Sequence, residues 1–146
     1  YPYVTSSHCT VAGACLNGFA PSSIRNVIGV AKAYETYVGS KEFQPDDHVF
    51  RELQEAGHEY GATTGRKRQC NWINLPALER TVKMNGVTNL VFNKMDVVEQ
   101  VDTWSVYVDQ NRHNLFTFQN RDQFCEYIKD YFKEVQVVFS GNPEEI

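Results

Sequence analysis

An α/β fold is what this sequence predicts: a mostly parallel sheet flanked by helices, with a β-hairpin near the carboxyl end. Three observations carry the prediction. The helical stripe Leu75, Leu78 and Val82 is followed at once by the apolar run 87–92, a helix feeding a buried strand. The pattern recurs late in the chain, where Phe124, Ile128, Tyr131 and Phe132 share one side of residues 121–134 and the run 135–139 follows. Between these units, residues 103–109 and 115–118 alternate apolar and polar, as a hairpin does.

Each element has a local reason. Residues 1–5 read as a short strand that ends in the hydroxyl cluster Thr5-Ser6-Ser7, and hydroxyls beside free backbone N–H groups hold phosphate. An ordinary Ser/Thr turn is the alternative there. The small-residue stretch 10–18 reads as a mobile loop. A helix is expected from Pro21, with Ile24, Val27, Ile28, Ala31 and Tyr34 on one face and Gly39 as its stop. A second, about 46–56, turns Val49, Phe50 and Leu53 inward and ends at Gly57. Residues 61–68 form a loop, and Trp72 beyond it reads as a core aromatic. Asn74 is suited to cap the helix 75–85 and Gly86 to end it. The strand 87–92 then delivers residues 93–96 to the sheet's carboxyl edge, where open α/β sheets bind ligands. Asn120 with Gln123 resembles a capping box for the helix 121–134. The last strand ends in Ser140-Gly141-Asn142-Pro143.

Bulk properties bound the function. A length of 146 residues is one domain's worth of chain. A net charge of −4 argues against a nucleic-acid partner held mainly through phosphates. Cys9, Cys15, Cys70 and Cys125 form no C-x-x-C pair and have no histidines at zinc spacing, so they read as free thiols of a reducing cytoplasm. No apolar run approaches the ~18 residues of a membrane span and no signal sequence is expected.

The chemistry gathers at two loops. The first, Gly61-Ala62-Thr63-Thr64-Gly65-Arg66-Lys67-Arg68, carries two glycines, two hydroxyls and three cations in eight positions. Its glycines let amides turn toward a ligand, and Arg grips carboxylate or phosphate bidentately. Three adjacent cations repel one another until an anion arrives, so the loop is expected to open without ligand and order with it. On an acidic protein, such a spot suits a small anion. The second loop, Asn93-Lys94-Met95-Asp96, follows Leu90-Val91-Phe92. An Asp there can accept from N1–H and N2–H of guanine, whereas leaving it unpaired against adenine costs about 1–3 kcal/mol. Taken singly, each loop is also an ordinary polar turn. Together, with a helix of fixed length between them, they read as an anion clamp followed by a guanine reader.

These residues resemble a known family. Residues 61–98, with the loop 62–68, Trp72, the helix holding Arg80 and Asn85-Gly86, and Lys94-Met95-Asp96-Val97, are similar to adenylosuccinate synthetase, a GTP-dependent ligase of purine biosynthesis. Residues 1–7, Ala33-Tyr34 and Tyr37-Val38-Gly39 are similar too. The match is strongest over 61–98 and thins after 100. Asn93 stands where most relatives carry Thr, and the glycine of the 140–142 turn comes one position early.

The resemblance implies a P-loop-NTPase-like sheet and ligation of L-aspartate to inosine monophosphate (IMP) at the expense of GTP. Ala62, Thr63, Thr64, Gly65, Arg66, Lys67 and Arg68 would bind aspartate. Thr5, Val38 and Arg66 would bind IMP, Thr5 at its 5′-phosphate. Arg68, Lys94, Met95, Asp96, Ser140, Gly141 and Asn142 would bind GTP, with Arg68 at the phosphates and Asp96 at the guanine edge. His8 receives no role. The resemblance also implies that residues 1–146 are the carboxyl-terminal portion of a single-domain, homodimeric enzyme. No catalytic residue or metal ligand is then expected here: the phosphate loop, catalytic groups and Mg2+ ligand would lie in the amino-terminal half, and this portion alone would be inactive. Two alternatives stay open, a phage-type enzyme acting on deoxyguanylate (dGMP) and a non-catalytic guanine-nucleotide-binding module.

Overall fold

Two open sheets carry the fold of residues 8–142, the part of the chain that the computed structural model describes. The first sheet is three-stranded and parallel. Its strands β1 (Ile28–Lys32), β4 (Asn89–Asn93) and β7 (Gln136–Phe139) lie in the order β1-β4-β7. The second runs β2 (Tyr34–Tyr37), β3 (Gln69–Asn74), β5 (Trp104–Tyr107) and β6 (Leu115–Phe118). In it β3 and β5 are parallel, while β2 and β6 pair antiparallel at the edges. Helices α1 (Val11–Leu16), α2 (His48–Ala56), α3 (Leu75–Asn85), α4 (Met95–Val101) and α5 (Arg121–Tyr131) connect and cover the strands. The architecture is the expected α/β fold with helices flanking a mostly parallel sheet.

Local signals place most of the second half. Asn74 caps α3, its side chain accepting from the Ala77 N–H at 3.0 Å, and Gly86 ends the helix. Asn120 caps α5 by accepting from the Gln123 N–H at 3.0 Å. The returning bond of the expected capping box goes one residue earlier, from the Gln119 N–H to the Gln123 side chain. The hairpin β5–β6 forms in register, Trp104 opposite Phe118. Phe124 and Ile128 of α5, with Phe132 just beyond it, join Phe92, Trp104 and the inward face of α2, Val49, Phe50 and Leu53, in one core. Trp72 is buried with its ring 5.3 Å from that of Phe50, as a core aromatic should be.

Four expectations need correction. Residues 21–39 do not form a helix. After one 3-10 turn at Pro21–Ser23 they become β1 and β2. The helical spacing of Ile24, Val27, Ile28 and Ala31 is outweighed by pairing with β4, from Ile28 opposite Asn89 to Lys32 opposite Asn93. Val27, Ile28 and Val30 are β-branched and stiff at χ1, which suits a strand. Gly29 lets β1 lie close to its neighbours, since a Cβ there would meet Val87 at 3.1 Å. In consequence Ile28 and Val30 are exposed rather than buried.

The second correction is β3, which begins directly behind the loop 61–68 where no strand was expected. The third concerns residues 10–18, which hold the short helix α1 instead of an irregular loop. The fourth is the strand expected at 87–92. It starts at Asn89, because the Val87 N–H is spent on closing α3 through the Val82 carbonyl at 3.0 Å.

Candidate functional site

Parallel pairing aligns the carboxyl ends of β1, β4 and β7. Lys32 lies opposite Asn93, and Phe139 opposite Phe92. The chain leaving each strand is then tied to its neighbour. The Ala33 N–H donates to the Asn93 carbonyl at 2.9 Å, Ser140 N–H to the Phe92 carbonyl at 2.8 Å, and Met95 N–H to the Ser140 carbonyl at 3.3 Å. The residues read as the second loop and the last turn therefore stand side by side. Lys94 takes φ +62°, a left-handed conformation that costs a non-glycine residue about 1–2 kcal/mol. That bend ends the strand and starts α4 one residue later.

Within this edge the side chains differ in what they can offer. Asp96 lies exposed in the first turn of α4, where the helix dipole favours an anion. The Met95 side chain is fully buried in the core, so it serves the edge through its main chain. Ser140 is also buried and its hydroxyl donates to the Asn142 carbonyl at 2.6 Å, stiffening the turn 140–142. Asn93 Oδ1 is buried without a hydrogen-bond partner among the described residues.

The cationic loop is a tight projection. Tyr60 and Lys67 form an antiparallel bridge at its base. Gly61 N–H donates to the Arg66 carbonyl and Gly65 N–H to the Gly61 carbonyl, both at 2.8 Å. Gly65 sits at φ +63°, a backbone that a Cβ would strain. Arg66 N–H donates to Thr64 Oγ1 at 3.3 Å. Ala62, Thr63, Thr64, Gly65, Arg66 and Lys67 are all exposed. Lys67 lies 3.7 Å from Glu55 and over the Tyr60 ring. Arg66 makes no ion pair among the described residues.

Arg68 connects the loop to the sheet edge through a residue that sequence reasoning missed. Glu59 is 1 % exposed. Its Oε1 accepts from Lys32 Nζ at 2.6 Å and from the Tyr34 hydroxyl at 2.7 Å, while Oε2 accepts from Arg68 Nη1 at 2.9 Å. Burial pushes this carboxyl up, but hydrogen bonds from Lys32, Tyr34 and Arg68 outweigh it and hold Glu59 below the usual carboxylate range. Burial, the bond to Glu59 and the charges of Glu59, Cys70 and Asp96 all push the Tyr34 phenol up. The Cys70 thiol is pushed up to about 12, by burial first and then by Glu59, so it stays protonated and inert.

Val38 is exposed, just beyond β2, and Thr5 lies outside the described residues. Among the described residues no three His, Cys, Asp or Glu side chains are grouped to hold a metal ion, and no helix is long and apolar enough to cross a membrane.

Comparison with known proteins gives one consistent answer. A family model described as Adenylosuccinate synthetase matches residues 1–140. An adenylosuccinate synthetase of Chlorobaculum parvum is 39% identical over 148 aligned positions, covering 97% of this chain and 34% of that protein. Another, from Chlorobium phaeobacteroides, is 49% identical over 109, covering 73% and 25%. The solved structure of fully ligated adenylosuccinate synthetase from Plasmodium falciparum superposes with a TM-score of 0.79 at 24% identity, over 98% of this chain and 44% of that one. At that identity it speaks for the fold alone. The chain spans about a third or less of the length of these two bacterial relatives.

Proposed function

This chain belongs to the adenylosuccinate synthetase family, and from that premise we propose that the protein carrying it joins L-aspartate to IMP with consumption of GTP. In this reading GTP phosphorylates the purine 6-oxygen, and the aspartate amine then displaces that phosphate to leave adenylosuccinate. The family implies Mg2+, whose ligands in this reading belong to the amino-terminal half of the complete protein.

The chain's own residues divide the binding work. Thr63, Thr64, Arg66 and Arg68, on the projecting loop 62–68, take the aspartate carboxylates. Arg66 also reaches the inosine nucleotide, with Thr5 at its phosphate and Val38 near its sugar. Arg68 serves the GTP phosphates as well. Asp96 accepts the N1–H and N2–H bonds of guanine, Lys94 lies along the ring face, and the turn of Ser140, Gly141 and Asn142 lies beneath it. A pair of N–H donors is required to satisfy an acceptor of that kind, so adenine is rejected by leaving it unpaired.

The observation that best supports this reading is the carboxyl edge itself. Lys94–Asp96 and the turn 140–142 adjoin there through the Met95–Ser140 bond, and Lys32, Glu59 and Arg68 link the same edge to the cationic loop. The test is an assay of the complete polypeptide that contains this sequence, with IMP, L-aspartate and GTP as substrates and dGMP as an alternative acceptor. Adenylosuccinate formed only when all three substrates are present is the expected outcome. Product from dGMP but not IMP would replace the acceptor, and nucleotide binding without any product would replace the enzyme by a binding module. We further expect residues 1–146 by themselves to show no turnover, since they span so little of their relatives.

A further inference from the structure

We propose, resting on the assignment of Arg68 to the anion clamp, that Glu59 is the positioning residue of this site: its buried carboxylate holds Arg68 and Lys32 together, so that their combined single positive charge meets the carboxylate of the amino-acid substrate. A carboxylate at 1 % exposure survives only when paired and hydrogen-bonded. Glu59 has three such bonds, from Lys32, Tyr34 and Arg68. Two cations share one carboxylate, leaving a net charge of +1 in a half-dry setting where an anion is the natural complement.

The geometry fits a positioning role. Arg68 is held twice by Glu59, through Nη1 at 2.9 Å and through its own main-chain N–H to the Glu59 carbonyl at 2.9 Å. Its guanidinium uses one nitrogen in this contact and stays 34 % exposed, leaving the rest of the fork for a second carboxylate. Lys32 ends β1 at the carboxyl edge, so the carboxylate joins the loop base to the edge of the sheet. Buried ion pairs contribute little to stability compared with apolar packing. What this arrangement supplies is an arginine already oriented before ligand arrives, and preorganisation raises affinity by reducing what must be ordered on binding.

The test uses the complete polypeptide with Glu59→Gln, Glu59→Asp and Arg68→Ala, and follows KM for L-aspartate separately from kcat. Glu59→Gln is expected to raise that KM about 10- to 100-fold, the scale of a binding group displaced by about 1 Å, and to lower kcat per folded site by a smaller factor, since Arg68 also serves the GTP phosphates. Glu59→Asp, which keeps the charge, is expected to recover part of the loss. An unchanged KM with kcat lowered in proportion to folded protein would mean a structural role and overturn the proposal, while a raised KM in Arg68→Ala would still leave the clamp standing. An unchanged KM in Arg68→Ala would overturn both. If Glu59→Gln does not fold, Glu59→Asp carries the same test with a smaller shift. Independently of any variant, 15N relaxation of arginine side chains in the unliganded protein should show Arg68 ordered and Arg66 mobile. A mobile Arg68 would overturn the inference.

Discussion

Asp96 is one residue inside α4, and that position sets both its charge and its reach. The helix N-terminus favours a negative charge there and the exposed setting leaves both oxygens open, so it can accept two N–H bonds from a purine edge. Asp96→Asn replaces one acceptor oxygen by a donor and should turn recognition away from guanine. In the complete polypeptide, the preference for GTP over ATP is expected to fall by about 10- to 100-fold, the equivalent of roughly 1–3 kcal/mol. Competition between the two triphosphates measures it, and an undiminished preference would remove Asp96 from the guanine site. Glu59 belongs to the same scale but could not be found there. Its partners lie 27, 25 and 9 positions away, and an acid between His58 and Tyr60 otherwise reads as a surface residue.

Among elements, α3 and β1 show opposite balances of local and distant forces. Asn74 caps α3 at Ala77, and its Nδ2 donates to the carbonyls of Asp109 at 3.0 Å and Gln110 at 3.3 Å. One buried side chain therefore serves a helix end and the turn of the β5–β6 hairpin. Asn74→Ala should cost about 2 kcal/mol, a lost cap together with carbonyls deprived of a donor, seen as a lower urea midpoint. A midpoint equal to that of the parent would refute the double role. In β1 the decisive residue is Gly29, whose absent Cβ leaves room for Val87 and Leu90. Gly29→Val would place branched atoms into that contact and should destabilise by about 1–3 kcal/mol through overpacking. If Gly29 instead marked only a strand weakened by its missing side chain, the same substitution would raise the midpoint.

At the scale of the molecule, ionisation of Glu59 links the two loops to overall stability. Its carboxyl is held below its ordinary value of 4.5, so the folded state binds the proton less readily than the unfolded chain. The resulting stabilisation is complete above 4.5 and is lost as the pH falls through the lower folded value. Urea unfolding of the parent and of Glu59→Gln should therefore differ most at neutral pH and converge in acid. A gap that stayed constant across that range would show that the charge of Glu59 contributes nothing to folding.

What the sequence determined by itself was whatever depends on neighbours within a few positions. Asn74 and Asn120 as caps, Gly86 as a stop, the inward stripe of α2, the alternating hairpin and the two polar loops all follow from side chains meeting their own backbone or the next turn. Family membership was legible for a related reason, since it rests on a dense local pattern over 61–98. Tertiary structure decided the rest. The helical spacing of residues 24–34 yielded to a strand because β4, some 61 residues further on at its start, offers main-chain partners that no local pattern encodes. It likewise turned Asp96 into a helix residue, and it buried one carboxylate among Lys32, Tyr34 and Arg68. The physical reason is shared: a charge or a strand edge is satisfied by whatever the folded chain brings within about 3 Å, and that distance bears no relation to separation along the sequence.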